Sequence, residues 1–167
     1  MNRFRLLTAD EIECRISQIS DKGLTLLLYK TARTDANLLD ETVGEENWQN
    51  DFKVVDGVLY GGIAIDHGEG WVWKWDAGTE SNTEAEKGRA SDAFKRAGFK
   101  WGIGRELYSA PRIWIQADKC NIRDGRKCFD TFEVEKIVYT DKGEISGLSI
   151  LCNGKRVFVW QKGAKNA

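Results

Sequence analysis

Residues 48–75 read WQNDFKVVDGVLYGGIAIDHGEGWVWKW, and the periodicity of this stretch decides the fold. Phe52-Lys53-Val54-Val55, Val58 to Ile65 and Trp71 to Trp75 are three apolar-rich runs. Asp56-Gly57 and Asp66-His67-Gly68-Glu69-Gly70 separate them, and Asp/Gly clusters of this kind supply the positive φ angles that tight hairpin turns require. The stretch therefore predicts a three-stranded antiparallel meander. Trp71, Trp73 and Trp75 alternate along the last strand, so all three face one side of the sheet. We read that ladder as a core or subunit interface, because a fully exposed row of tryptophans would invite aggregation.

Working downstream, Thr83 and Glu86 form a capping-box pair at the head of a long helix that reaches Lys100 to Arg105. Ala90, Ala93, Phe94, Ala97 and Trp101 fall within an arc of about 100° on its wheel, the width of a stripe packed on a sheet. Small residues dominate the stripe, so the helix can approach its sheet closely. Beyond Pro111, the runs Arg112 to Gln116, Phe132 to Tyr139, Ile145 to Leu151 and Arg156 to Gln161 read as further strands, with turns at Asp141-Lys142-Gly143 and Asn153-Gly154. Upstream, Thr8 and Glu11 make another capping box, and Ile12, Ile16 and Ile19 recur at helical spacing, which predicts a helix over 8–19. Leu24 to Lys30 reads as a buried strand, and Ala32 to Val43 as a second helix stopped by Gly44. The fold class expected is α+β.

The 167 residues carry 25 Lys and Arg against 26 Asp and Glu, a formal charge of -1, so any anion-binding surface must be local. The longest apolar run, Leu24 to Tyr29, falls far short of the roughly 20 residues of a membrane-spanning helix. The first residues lack the apolar stretch and small-residue cleavage site of a signal peptide, which points to a cytoplasmic protein. Four cysteines (Cys14, Cys120, Cys128, Cys152) without a CxxC pair, and a lone His67, match no zinc-ligand spacing. No cofactor or metal is expected. Neither a Ser-His-Asp set nor paired metal-binding acids is present, so nothing motivates an enzyme.

The long helix carries the sharpest functional signal. Its cations Lys87, Arg89, Lys95, Arg96, Lys100 and Arg105 outnumber its acids Glu84, Glu86 and Asp92. Arg89, Arg96 and Lys100 lie within about 40° of one another beside the apolar arc, and Lys95 lies on its other flank. Such a stripe suits a phosphate backbone, since each cation that neutralises a phosphate releases a condensed counterion. A solvated helix face is the alternative. Asp92 points away from the stripe and is read as structural.

The run Gly88-Arg89-Ala90-Ser91-Asp92-Ala93-Phe94-Lys95-Arg96-Ala97, continuing to Trp101-Gly102-Ile103-Gly104, resembles the Rad52 family of single-strand annealing proteins. Tyr29, the segment Ala36-Asn37-Leu38-Leu39-Asp40-Glu41, Gly44 and Trp48 extend the likeness upstream. Asp40 to Asn50 and Trp71 to Asp76 bring it nearest to the phage and prophage branch. Together the motifs cover roughly residues 8 to 111 and are more specific as a set than singly. The resemblance implies a β-β-β-α core, a meander packed by the long helix, with N-terminal helices. Residues 1–111 would form the DNA-binding and annealing core, and 112–167 a C-terminal β-rich extension of the same domain.

The resemblance also implies that Lys95 and Arg96 meet single-stranded DNA in a groove around a homo-oligomeric ring; Arg89 and Lys100 join them from the wheel. Tyr29 matches a family tyrosine near that groove, as a buried anchor or a stacking platform. Single-strand binding and ATP-independent annealing in recombination and repair follow as the implied function, with a single-stranded DNA-binding protein as a further partner. Two other readings compete: a tryptophan-lined β-rich module for a sugar or other small ligand, and a structural subunit without annealing activity.

Overall fold

The computed structural model describes residues 4–79 and 85–164. The described residues form two compact units, one from residues 4–5, 31–79 and 85–105, the other from 6–30 and 106–164.

In the first unit, helix α1 (Ala32–Val43) starts on Thr31, whose side chain accepts from the Thr34 N–H, and ends at Gly44 with φ 89°. This is the helix expected from the sequence. The meander also appears as expected, as strands β3 (Trp48–Val55), β4 (Val58–Asp66) and β5 (Trp71–Ala77) in the order β3-β4-β5. Asp56 and Gly57, with φ 51° and 76°, make the first turn. Helix α2 (Ala85–Lys100) packs on the meander. Ala93 and Ala97 are fully buried there and Phe94 nearly so. A Cβ at Gly61 would stand 2.8 Å from the Ala93 carbonyl carbon, so the closeness of helix and sheet depends on glycine at that position. The capping pair expected at Thr83 and Glu86, and the side chains of Glu84 and Lys87, lie outside the described residues.

Gly61, Ile63 and Ile65 face the helix; Gly62 and Ala64 face the other way. In register, Gly62 pairs with Trp75, Ala64 with Trp73 and Asp66 with Trp71, which puts the whole tryptophan ladder on the face remote from α2. A Cβ at Gly62 would lie 2.6 Å from the Trp75 ring, so Trp75 lies flat over the glycine. Trp73 stacks on Trp75 at 5.1 Å between centroids, while Trp71 is 43% exposed. The ladder thus shields its own sheet and leaves an outer edge in solvent.

The second unit is a six-stranded sheet in the order β11-β10-β9-β1-β2-β6. Its strands are β1 (Glu13–Ile19), β2 (Gly23–Tyr29), β6 (Ile113–Gln116), β9 (Phe132–Tyr139), β10 (Ile145–Cys152) and β11 (Lys155–Gln161), with a separate small hairpin β7–β8 (Ile122–Arg123, Lys127–Cys128). Strands from both sides of residue 111 share this sheet, and Leu24, Leu26, Ile113, Ile115, Leu148 and Ile150 supply its core. Residues 8–19 do not form the helix expected of them. The capping pair exists, Glu11 accepting from the Thr8 N–H at 3.0 Å, but it closes only the single 3-10 turn Ala9–Glu11 before the chain enters β1. A register shift between Ile16 and Gln18 leaves Cys14, Ile16 and Ile19 as the half-buried positions of β1. A bulge thus imitates the three-residue step of a helix.

Candidate nucleic-acid interface

Helix α2 lies along the meander with its cation-bearing edge against β5, the outer strand. Asp92 accepts from the Thr79 N–H at 2.9 Å and from the Thr79 hydroxyl at 3.0 Å, tying the segment after β5 to the helix. One turn on, the Arg96 Nε stands 3.7 Å from the Asp76 carboxylate, with its side chain 45% exposed. A further turn on, Lys100 Nζ donates to the Trp75 carbonyl, so an ammonium occupies an acceptor of the open strand edge. Arg89 is half-buried at the head of the same row, its carbonyl against Gly78. Arg89, Arg96 and Lys100 therefore line up along β5 as the helical wheel requires, but Asp92, expected to point away from this stripe, stands in the same row, one turn before Arg96.

Lys95 belongs to the opposite flank, one turn before Gly98, where a Cβ would lie 2.8 Å from Asp35 of α1. Lys95 is half-buried and Arg96 exposed. The pair thus straddles the ridge of α2, with about 100° between the two side chains.

At the C-terminal end of α2, Arg105 donates to the carbonyls of Phe99 at 2.8 Å and Lys100 at 2.9 Å. Lys74 of β5 donates to the same Lys100 carbonyl at 3.3 Å and sits 4.6 Å from the Trp101 ring centroid. Two cations, Arg105 and Lys74, thus meet the carbonyls at the end of the helix. On the face of the meander away from α2, Lys53 Nζ lies 4.6 Å from the Trp75 ring centroid. Reading the chain by itself missed Lys53 and Lys74, because strand register rather than local spacing brings them to Trp75 and Trp101.

Tyr29 belongs to the second unit. Its ring is half-buried, its hydroxyl donates to Glu13 Oε2 at 2.7 Å, and the Arg15 guanidinium lies 6.0 Å from the ring centroid. The bond to Glu13 raises the phenol above its ordinary pKa. The structure thus brings Arg89, Lys95, Arg96 and Lys100 together on one helix and places Tyr29 in the other unit.

No group of His, Cys, Asp and Glu among the described residues is arranged to hold a metal ion. No helix among them is long and apolar enough to cross a membrane.

Residues 53–124 match the family described as Rad52/22 family double-strand break repair protein. The chain is also 35% identical over 95 residues to the single-stranded DNA-binding protein DdrA of Deinococcus radiodurans, an alignment covering 56% of this chain and 45% of that protein. The chain therefore spans about half the length of this curated relative. No solved structure matches. The matched segment contains most of the meander, all of α2 and its Lys95-Arg96 pair, and it is over this segment that the chain is similar to the Rad52/22 family.

Proposed function

We propose that this protein binds single-stranded DNA along α2 and anneals complementary strands in recombination and repair, working as a homo-oligomeric ring without nucleotide hydrolysis. The observation that carries this reading is the row Arg89, Arg96 and Lys100 beside β5, with Lys95 across the ridge of the same helix. A row of cations holds a backbone without reading its sequence, which annealing requires, because the bases must stay free to sample partners. Base pairing itself then supplies the driving free energy. The Rad52/22 segment and the likeness to a protein named for single-strand binding support the same substrate. Asp76 and the Trp75 carbonyl hold Arg96 and Lys100 in place, and phosphates would compete for both. A phage or prophage origin and a single-stranded DNA-binding protein as partner fit this reading as well.

The test is the double substitution Lys95→Ala with Arg96→Ala. It should weaken single-strand binding by similar factors for unrelated sequences and flatten the salt dependence, by roughly 0.7 in the slope of log affinity against log salt for each phosphate that is no longer neutralised. Loss of the exposed Arg96–Asp76 pair should cost less than about 1 kcal/mol of stability. A folded double variant with unchanged affinity, salt slope and annealing rate would reduce the helix to a solvated face.

A further inference from the structure

The hairpin β7–β8 of the second unit is small, yet it presents a concentrated chemistry. Asp124 and Gly125, with φ 53° and 62°, turn the chain, and the Arg126 N–H donates to the Arg123 carbonyl at 3.0 Å. Arg123, Arg126 and Lys127 are all exposed, with Asp124 in the turn and Asp21 packed against Gly125. Directly after β8, Phe129 is 76% exposed, and the Arg123 guanidinium lies 5.8 Å from its ring centroid.

An exposed aromatic ring on a loose segment would be unremarkable, but this one is held on both sides. On its N-terminal side, Cys128 pairs with Ile122 in the hairpin. On its C-terminal side, Asp130 accepts from the Asn121 backbone N–H at 2.6 Å, from Asn121 Nδ2 at 3.0 Å, from Asn153 Nδ2 at 2.9 Å and from the Cys128 thiol at 3.3 Å. Those bonds hold the Asp130 carboxyl well below the ordinary range, against the opposing effect of its burial. Asn153 also accepts from the Thr131 N–H at 2.9 Å, which fastens the segment to the β10–β11 turn. The ring is therefore presented to solvent by a braced backbone, with little ordering left to be done when a ligand stacks on it.

We propose that this hairpin is a second contact for single-stranded DNA, separate from α2, in which Phe129 stacks on a base and Arg123, Arg126 and Lys127 meet the neighbouring phosphates. The occupant follows from the chemistry: every base has a π face, a guanidinium beside the ring favours an anionic strand, and three exposed cations on one hairpin offer partners to neighbouring phosphates. The proposal rests on the single-strand reading above and assigns a role to residues beyond 111.

The experiment uses the full chain and two fluorescein-labelled probes of equal length, oligo-dT and a wholly abasic strand. Phe129→Ala should weaken oligo-dT binding by about ten- to a hundredfold, leave abasic binding unchanged, and be rescued by Phe129→Tyr. Lys95→Ala with Arg96→Ala should weaken both probes alike. As a measurement on the unsubstituted protein, photo-crosslinking to 5-iodouracil oligonucleotide should label the tryptic peptide 128–136. If Phe129→Ala binds both probes as the parent does, or the label falls only on other peptides, the hairpin contact is wrong while the α2 reading stands. If the parent protein binds neither probe, both readings fall.

Discussion

A methyl group at position 61 would meet the backbone of α2 rather than a flexible side chain: its distances to the Ala93 carbonyl carbon and oxygen would be 2.8 and 3.0 Å. The helix would have to move away from β4 to admit it. Gly61→Ala should therefore destabilise the fold by about 1–3 kcal/mol, as overpacked cores do, read as a lower urea midpoint at unchanged slope. An unchanged midpoint would mean that α2 is not held against the meander. In the second unit, Glu135 accepts from Arg156 Nη2 at 2.6 Å and Nε at 2.8 Å, and from the buried Ser149 hydroxyl at 2.9 Å. The Arg156 bonds, then that of Ser149, lower the Glu135 pKa from 4.5 to about 2. A carboxylate depressed in the folded state contributes stability above its ordinary pKa and loses it as pH falls toward the folded value. The stability difference between the parent and Arg156→Ala should thus persist at neutral pH and shrink as pH falls from about 4.5 to about 2. Denaturation at stepped pH checks it, and a difference that does not vary with pH would sink the assignment.

At the scale of elements, the two strongest local signals, the Gly44 stop after Ala32 to Val43 and the Asp/Gly turns of the meander, predicted α1 and β3–β5 because helix-end and turn chemistry act within a few residues. β1 was illegible for an equally local reason. The bulge between Ile16 and Gln18 moves Ile19 onto the side of Ile16, so the burial period of a strand reads as that of a helix. The pairing of β1 with β9, at Glu13 and Glu133, joins residues far apart in the chain, which no local pattern encodes. The candidate site divides the same way. Arg89, Arg96 and Lys100 could be aligned from helical geometry alone, whereas Lys53, Lys74 and the braced Phe129 needed the register. A chain ending at residue 111 would lose β6, β9, β10 and β11, leaving β1–β2 as a lone hairpin with Leu24 and Leu26, 0% and 2% exposed in the intact protein, open to water. Two-stranded hairpins are marginal by themselves. The truncated chain should aggregate or lose its cooperative transition, and a cooperative melt at the parent midpoint would show that the first 111 residues stand alone.

For the whole molecule, a formal charge of -1 argues against a uniformly basic surface, and the proposed strand contacts fall where cations gather locally, on α2 and on the β7–β8 hairpin. Elsewhere in the first unit Glu41 of α1 pairs with Arg5 at 2.8 Å. A ring also needs surfaces that join one copy to the next, and the meander offers two strand edges of unlike chemistry. The β5 edge is guarded, with Lys100 on its Trp75 carbonyl and Lys74 beside Trp101. The β3 edge carries Asp51 and Lys53 in its middle but ends in an open apolar stretch: Phe52, Val54, Val55 and the facing Val58 are 39%, 68%, 53% and 40% exposed. An apolar strand edge this open recruits another chain unless something covers it, and in a closed assembly the cover is the next subunit. Lysine is what natural edges use to prevent such pairing, and Val54, the most exposed of the four, tolerates it without leaving a cavity. If the proposed ring is joined there, Val54→Lys should dissociate it into smaller species by light scattering while circular dichroism stays unchanged. Annealing should fall more than binding of a short oligonucleotide, since one subunit still holds a few phosphates but cannot keep a long strand extended. A parent protein that is strictly monomeric at micromolar concentration, with and without oligonucleotide, would remove the ring, and a variant that keeps the parent's mass would move the joint away from β3.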